Sequence, residues 1–148
     1  MFDAVTHVPA PINEPVLDYA PGSPERAELE VALAEGQATK VDLPHTIGGA
    51  RIQGSGKKID VVQPHAHRHV LGTLRNATKA DASAAVDAAV AAAPEWRALS
   101  FDDRASILLK AADLLAGPWR ARMNAATMLG QSKTAYKAEI DSACELVD

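Results

Sequence analysis

From Thr78 to Asp148 apolar residues return every three or four positions, and this periodicity restricts the possible folds more than any other feature of the chain. Ala82, Ala85, Val86, Ala89, Val90 and Ala93 share one face of a 3.6-residue period, which predicts a helix. Thr78 and Asp81 stand at its start as a capping-box pair, with aspartate in place of the usual glutamate. Pro94 is expected to disturb its last turn. Ser100 and Asp103 repeat the cap, and Ala105, Leu108, Ala112 and Leu115 form a second stripe that Gly117-Pro118 stops. Pro118 can open a third helix that buries Trp119, Met123, Ala126 and Leu129 and ends at Gly130. Ser132 can cap a fourth. Each cap contributes about 1 kcal/mol, enough to fix where a helix begins but not to hold it alone.

Upstream the pattern is different. Residues 1–22 carry Pro9, Pro11, Pro15 and Pro21, which fix φ and remove amide donors, so an extended arm is expected. Residues 23–40 read as a short helix and a linker. Ser23 caps it, Pro24 suits its first position, Leu29, Ala32 and Leu33 form its stripe, and Gly36 ends it. Residues 41–77 hold the β-rich runs "HTIGGARI", "KKIDVVQP" and "HVLGTLRNA". "GSGK" at 54–57 is a turn signal, which predicts a hairpin and a third strand in a small antiparallel sheet. Residues 78–148 complete the chain as a helical region, and the whole is of mixed α/β class. The sheet and the arm have no place in a four-helix bundle, and the final helix lacks a stop signal. Each part is expected to be incomplete without a larger body.

Charge and composition exclude several functions. The net charge is −4 with no basic cluster, which argues against nucleic acid as a partner. No apolar run reaches membrane-spanning length. The opening "MFDAVTHVPAPINEPV" lacks the basic and apolar blocks of a signal peptide. A single cysteine suits a reducing compartment, so the cytoplasm is the expected location. Apolar residues make up 47% and aromatics only 4%, which predicts a core of close helix contacts with few large anchors.

Three groups of residues raise the question of chemistry. His65, His67 and His69 alternate in "QPHAHRHV" and would share one face of a strand, as zinc ligands can. Pro64 weakens a strand there and no further ligand lies nearby, so a polar turn is the expected reading and no metal is assigned. Gly48-Gly49 and Gly54-x-Gly56 open no helix, as a dinucleotide loop must, and read as turns. Cys144 lies within a helix among Asp141, Glu145 and Asp148, whose charges disfavour a thiolate. It is expected to be a packing residue, and no catalytic residue is assigned. On a wheel of about 100° per residue with Tyr136 at zero, Ile140, Ala143 and Val147 fall within about 40° of Tyr136 and Glu145 falls opposite. That position describes a solvated acid. Ala138 and Ser142 flank Glu145 on the wheel with small side chains that would let a ligand approach.

The stretches "EPVLDYAPGSPERAEL", "RASILLKAADLLAGPWRARM" and "ATMLGQSKTAYKAEIDSACELVD" resemble the N-terminal part of the 1-pyrroline-5-carboxylate dehydrogenases, a branch of the aldehyde dehydrogenase superfamily. The resemblance runs from about Glu14 to Asp148, with "GQSK" followed by "AEID…EL" its most specific part. It implies an N-terminal fragment of a longer enzyme that oxidises L-glutamate γ-semialdehyde to L-glutamate with NAD. The nucleophilic cysteine, the general base and the dinucleotide site would all lie outside this chain, leaving the fragment inactive. The resemblance further implies a homo-oligomer at full length. It also implies a substrate-binding role for Glu145, which matches a helix glutamate facing the substrate's α-ammonium group. The competing expectation is a non-catalytic helical module that binds a partner through its Ala/Leu stripes.

Overall fold

A computed structural model describes residues 10–148; positions 1–9 of the expected arm, Pro9 among them, lie outside the described residues. Residues 10–22 form neither helix nor strand, and Tyr19 takes a left-handed φ of 55°. Helix α1 spans Pro24–Ala38; the Ser23 hydroxyl accepts from the Arg26 amide, as the cap reading requires. The helix does not end at Gly36. It runs to a cap at Thr39, because Gly36 serves packing and not termination. A Cβ built on Gly36 would lie 2.8 Å from Leu129 Cδ1, so the bare glycine lets α1 approach the helix across it.

The strand region is richer than one hairpin and a third strand. β1 (Val41–Leu43) pairs in parallel with β5 (Ala66–Arg75), which pairs antiparallel with β4 (Lys58–Gln63). β2 (His45–Ile47) and β3 (Ala50–Ile52) form a separate two-stranded sheet. The sheet is therefore mixed and not purely antiparallel. The tight turns are Gly48-Gly49, both at positive φ as a two-residue hairpin demands, and Pro64-His65 between β4 and β5. "GSGK" connects the two sheets instead of turning a hairpin. The Ser55 amide and hydroxyl donate to the Asp81 carboxylate, and the Gly56 amide donates to the Asn76 carbonyl.

Helix α2 (Lys79–Ala98) starts with the expected capping box, Thr78 and Asp81 bonding reciprocally. It continues through Pro94, beyond the expected disturbance. Val90, whose carbonyl loses its amide partner there, is exposed, so water can satisfy it. Helix α3 (Phe101–Ala116) begins at the Ser100–Asp103 cap and stops at Gly117. Neither helix has a buried residue; Val86 and Val90 of the α2 stripe face outward.

Helix α4 (Arg120–Gln131) starts two residues after Pro118 and runs one past Gly130. Its buried face is not the expected one. Arg120, Asn124 and Thr127 are buried beside Ala125 and Leu129, whereas Trp119 and Ala126 are exposed. Ser132 closes α4 in the left-handed region at φ 58° and does not start the next helix. Thr134 does that, accepting from the Lys137 amide. The last helix is α5 (Ala135–Ala138), a π-helical segment (Glu139–Cys144) and α6 (Glu145–Val147) in continuous succession. The apolar core gathers Tyr19, Leu29 and Ala125 with Leu17, Leu33 and Met128, where arm, α1 and α4 meet. Among the described residues no helix is long and apolar enough to cross a membrane.

Candidate functional site

The arm, α4 and the π-helical segment converge on one carboxylate. Glu139 is fully buried, at 0% exposure. The Leu17 amide donates to its Oε1 at 2.9 Å, and the Tyr19 hydroxyl donates to its Oε2 at 2.6 Å. Asn124 Nδ2 donates to the same Oε2 at 2.8 Å, and Arg120 forms an ion pair with it. Arg120 also pairs with Glu14 and donates to the Pro15 carbonyl at 2.7 Å. An unpaired buried carboxylate would be several kcal/mol unfavourable, so the guanidinium and the three further donors are what make this placement possible.

The electrostatics follow from that geometry. Burial alone would push the Glu139 carboxyl up; the bonds from Arg120, Tyr19, the Leu17 amide and Asn124 outweigh it and hold the group below its ordinary value. Burial and the neighbouring Glu139 carboxylate push the Tyr19 phenol up, which keeps it a neutral donor. Burial also opposes the Arg120 charge, but Glu139 and Glu14 more than compensate and raise its pKa. Cys144 is buried, as a packing residue should be. Burial and then Glu139 raise its thiol, so it is a poor nucleophile.

Glu145 sits just past this cluster. It is the first residue of α6, exposed, and its amide donates to the Ile140 carbonyl five residues back. The wheel that placed it fails nearby. Tyr136, at its apolar centre, is 62% exposed, while Ala138, Ser142 and Cys144 are buried. Ala138 and Ser142 therefore open no approach to Glu145; Ser142 bonds Thr127 on α4 instead. Leu146 and Val147, next in sequence, line a groove of about 670 Å³ with Trp96, Phe101, Leu108 and Leu109.

The other candidates are dispersed. His65 Nδ1 lies 2.8 Å from Ser132 Oγ, and His69 Nε2 lies 3.1 Å from the Gln37 carbonyl oxygen. Among the described residues no three His, Cys, Asp or Glu side chains are grouped to hold a metal. The glycines do not fit a dinucleotide phosphate. Cβ atoms on Gly54 and Gly56 would lie 2.5 and 2.7 Å from main-chain carbonyl oxygens, whose partial charge repels an anion. Neither glycine pair leads from a strand into a helix N-terminus. Neither glycine pair therefore forms a dinucleotide cradle.

Glu139 and its partners escape a reading based on apolar periodicity. Arg120, Asn124 and Thr127 do recur at helical spacing, but a polar stripe ordinarily faces water. The arm, more than a hundred residues away in sequence, and the π-helical segment together turn that stripe into an interior.

Comparison with known proteins agrees with this architecture. The chain is 42% identical over 146 residues to a delta-1-pyrroline-5-carboxylate dehydrogenase of Agaricus bisporus, covering 98% of this chain and 27% of that protein. It is 43% identical over 136 residues to the human mitochondrial protein of the same name, covering 92% and 24%. The crystal structure of the Mycobacterium tuberculosis delta-pyrroline-5-carboxylate dehydrogenase bound with NAD superposes with a TM-score of 0.94 at 61% identity, covering 99% of this chain and 28% of that one. The chain thus spans about a quarter of the length of the curated relatives it matches. The model of the aldehyde dehydrogenase family matches residues 52–148, and the chain belongs to that family.

Proposed function

We propose that this chain forms the N-terminal part of an NAD-dependent 1-pyrroline-5-carboxylate dehydrogenase. That enzyme would oxidise L-glutamate γ-semialdehyde to L-glutamate in a cytoplasmic homo-oligomer. The observation that carries the reading is the 61% identity to a structure of that name across nearly the whole chain. Neither glycine pair is built as a dinucleotide cradle, and the hydride step is assigned to residues outside this chain. The contribution of this chain is substrate selection at Glu145.

The physical argument is one of charge. The semialdehyde carries an α-ammonium group that a plain aldehyde of equal length lacks. A carboxylate fixed beside that ammonium stabilises the amino-acid aldehyde and offers nothing to the plain one. In the complete enzyme, Glu145→Ala is expected to raise KM for the semialdehyde about tenfold, an amount typical of a lost charge-assisted contact, and to raise KM for a plain aldehyde much less. Equal changes on both substrates would reject the assignment.

The competing reading, a non-catalytic interaction module, draws on the exposed Val86, Val90, Phe101 and Leu108 of α2 and α3. It requires that the chain bind a protein partner and that Glu145→Ala leave aldehyde selectivity untouched.

A further inference from the structure

An α-helix advances about 100° per residue, whereas a π-turn accommodates one extra residue and sets everything after it back by about that angle. The consequence for Glu145 is large. With Glu139 at zero, a continuous α-helix would place Ala138 near 260°, Ser142 near 300° and Ala143 near 40°, a buried face centred at about 330°. Cys144 would then lie near 140°, on the open side, and Glu145 near 240°, at the edge of the buried face beside Ala138, by the same rough count. The structure has the opposite arrangement. Cys144 is buried, its Sγ 3.9 Å from Glu139 Oε1 and from Arg120 Nη2, and Glu145 is exposed. One extra residue accounts for both changes. It carries Cys144 inward and moves Glu145 to about 140°, nearly opposite the buried face.

What holds the extra residue in place is also visible. The carboxylate of Glu139 cannot swing outward without depriving Arg120 of its fully buried counter-charge and leaving it only the partly exposed Glu14. On the next turn Ser142 is tied to Thr127, and on the outer side Lys133 pairs with Asp141. The arm grips the helix on both sides of Glu145. Leu17 and Tyr19 bond Glu139 before it, and the Glu14 amide donates to Asp148 Oδ1 at 2.6 Å after it. A continuous α-helix from Glu139 would instead turn Cys144 to the open side.

We propose that the buried Arg120–Glu139 pair, clamped by arm residues Glu14–Tyr19, is the positioning device for Glu145: it maintains the π-turn that aims this carboxylate at the substrate's ammonium group. Arg120 and Glu139 are thus specificity-determining through Glu145 and touch no substrate themselves. The inference rests on the substrate reading of Glu145, and the two can fail separately.

The test uses the complete enzyme and the ratio of kcat/KM for L-glutamate γ-semialdehyde to kcat/KM for a plain aldehyde of equal length. Glu139→Gln keeps the shape, removes the charge and frees the π-turn to relax. It is expected to lower the ratio about tenfold, the scale on which a misdirected contact acts. The double variant Glu139→Gln/Glu145→Ala should lose no more than Glu145→Ala alone, since both remove the same contact. Should Glu139→Gln not fold, Tyr19→Phe removes one donor to the same carboxylate and should lower the ratio roughly threefold, consistent with one lost hydrogen bond. If Glu145→Ala leaves the ratio unchanged, the substrate reading falls. If Glu145→Ala lowers it but the folded Glu139 or Tyr19 variant does not, the positioning role alone is overturned. Equal losses on both aldehydes, which leave the ratio intact, overturn it as well, because they mark a merely structural pair.

Discussion

Two parts of the chain treat polarity in opposite ways. Helices α2 and α3 are rich in alanine and leucine, yet among the described residues they bury nothing fully. Helix α4 and the π-helical segment bury an arginine, an asparagine, a threonine, a glutamate and a serine. The contrast shows that apolar spacing reports where a helix forms, while interior contacts are decided by what lies across from it. Here the arm lies across, and it brings hydrogen-bonding groups that match a charged interior.

The difference is open to direct measurement on the chain. Glu139→Ala leaves Arg120 without its buried counter-charge and should destabilise the fold by about 3–5 kcal/mol, read from urea unfolding. Val90→Ala on the open face of α2 should change the same quantity by no more than about 0.5 kcal/mol. Similar losses for the two would erase the distinction between the regions. Between these extremes, Thr78→Ala removes the α2 capping box and should cost about 1 kcal/mol. Its effect should appear in the hydrogen exchange of the first turn of α2, leaving α4 protected; a loss of protection in both would mean that the regions unfold as one unit.

How far the sequence revealed this organisation follows the range of the interactions. The caps at Ser23, Thr78 and Ser100 were legible because a hydroxyl meets an amide three residues away. Gly36 was misread as a terminator because its role is set by Leu129, distant in sequence. "GSGK" looked like a hairpin turn, but β4 pairs with β5 and not with β3, and its serine docks on Asp81. The α4 interior was invisible for a related reason: its partners lie in the arm and in the π-helical segment. Glu145 is the subtler case. Its exposure agrees with the wheel, but for a reason the wheel does not contain. A uniform 100° step cannot anticipate a π-turn, which carries Cys144 inward and Glu145 outward.

The acid limb of stability tests the central role of Glu139 most directly. Its folded pKa lies below the unfolded value of about 4.3, so the unfolded chain binds more protons in the interval between them. The stability Glu139 contributes is therefore complete above about pH 4.3 and is lost as pH falls through the depressed folded value. The measurement is the unfolding free energy of the native chain minus that of Glu139→Gln, followed from neutral pH into acid. The buried ion pair predicts a difference that holds steady near neutrality and shrinks progressively in acid as the native carboxylate takes up its proton. A difference that stays constant with pH, or grows in acid, would contradict it.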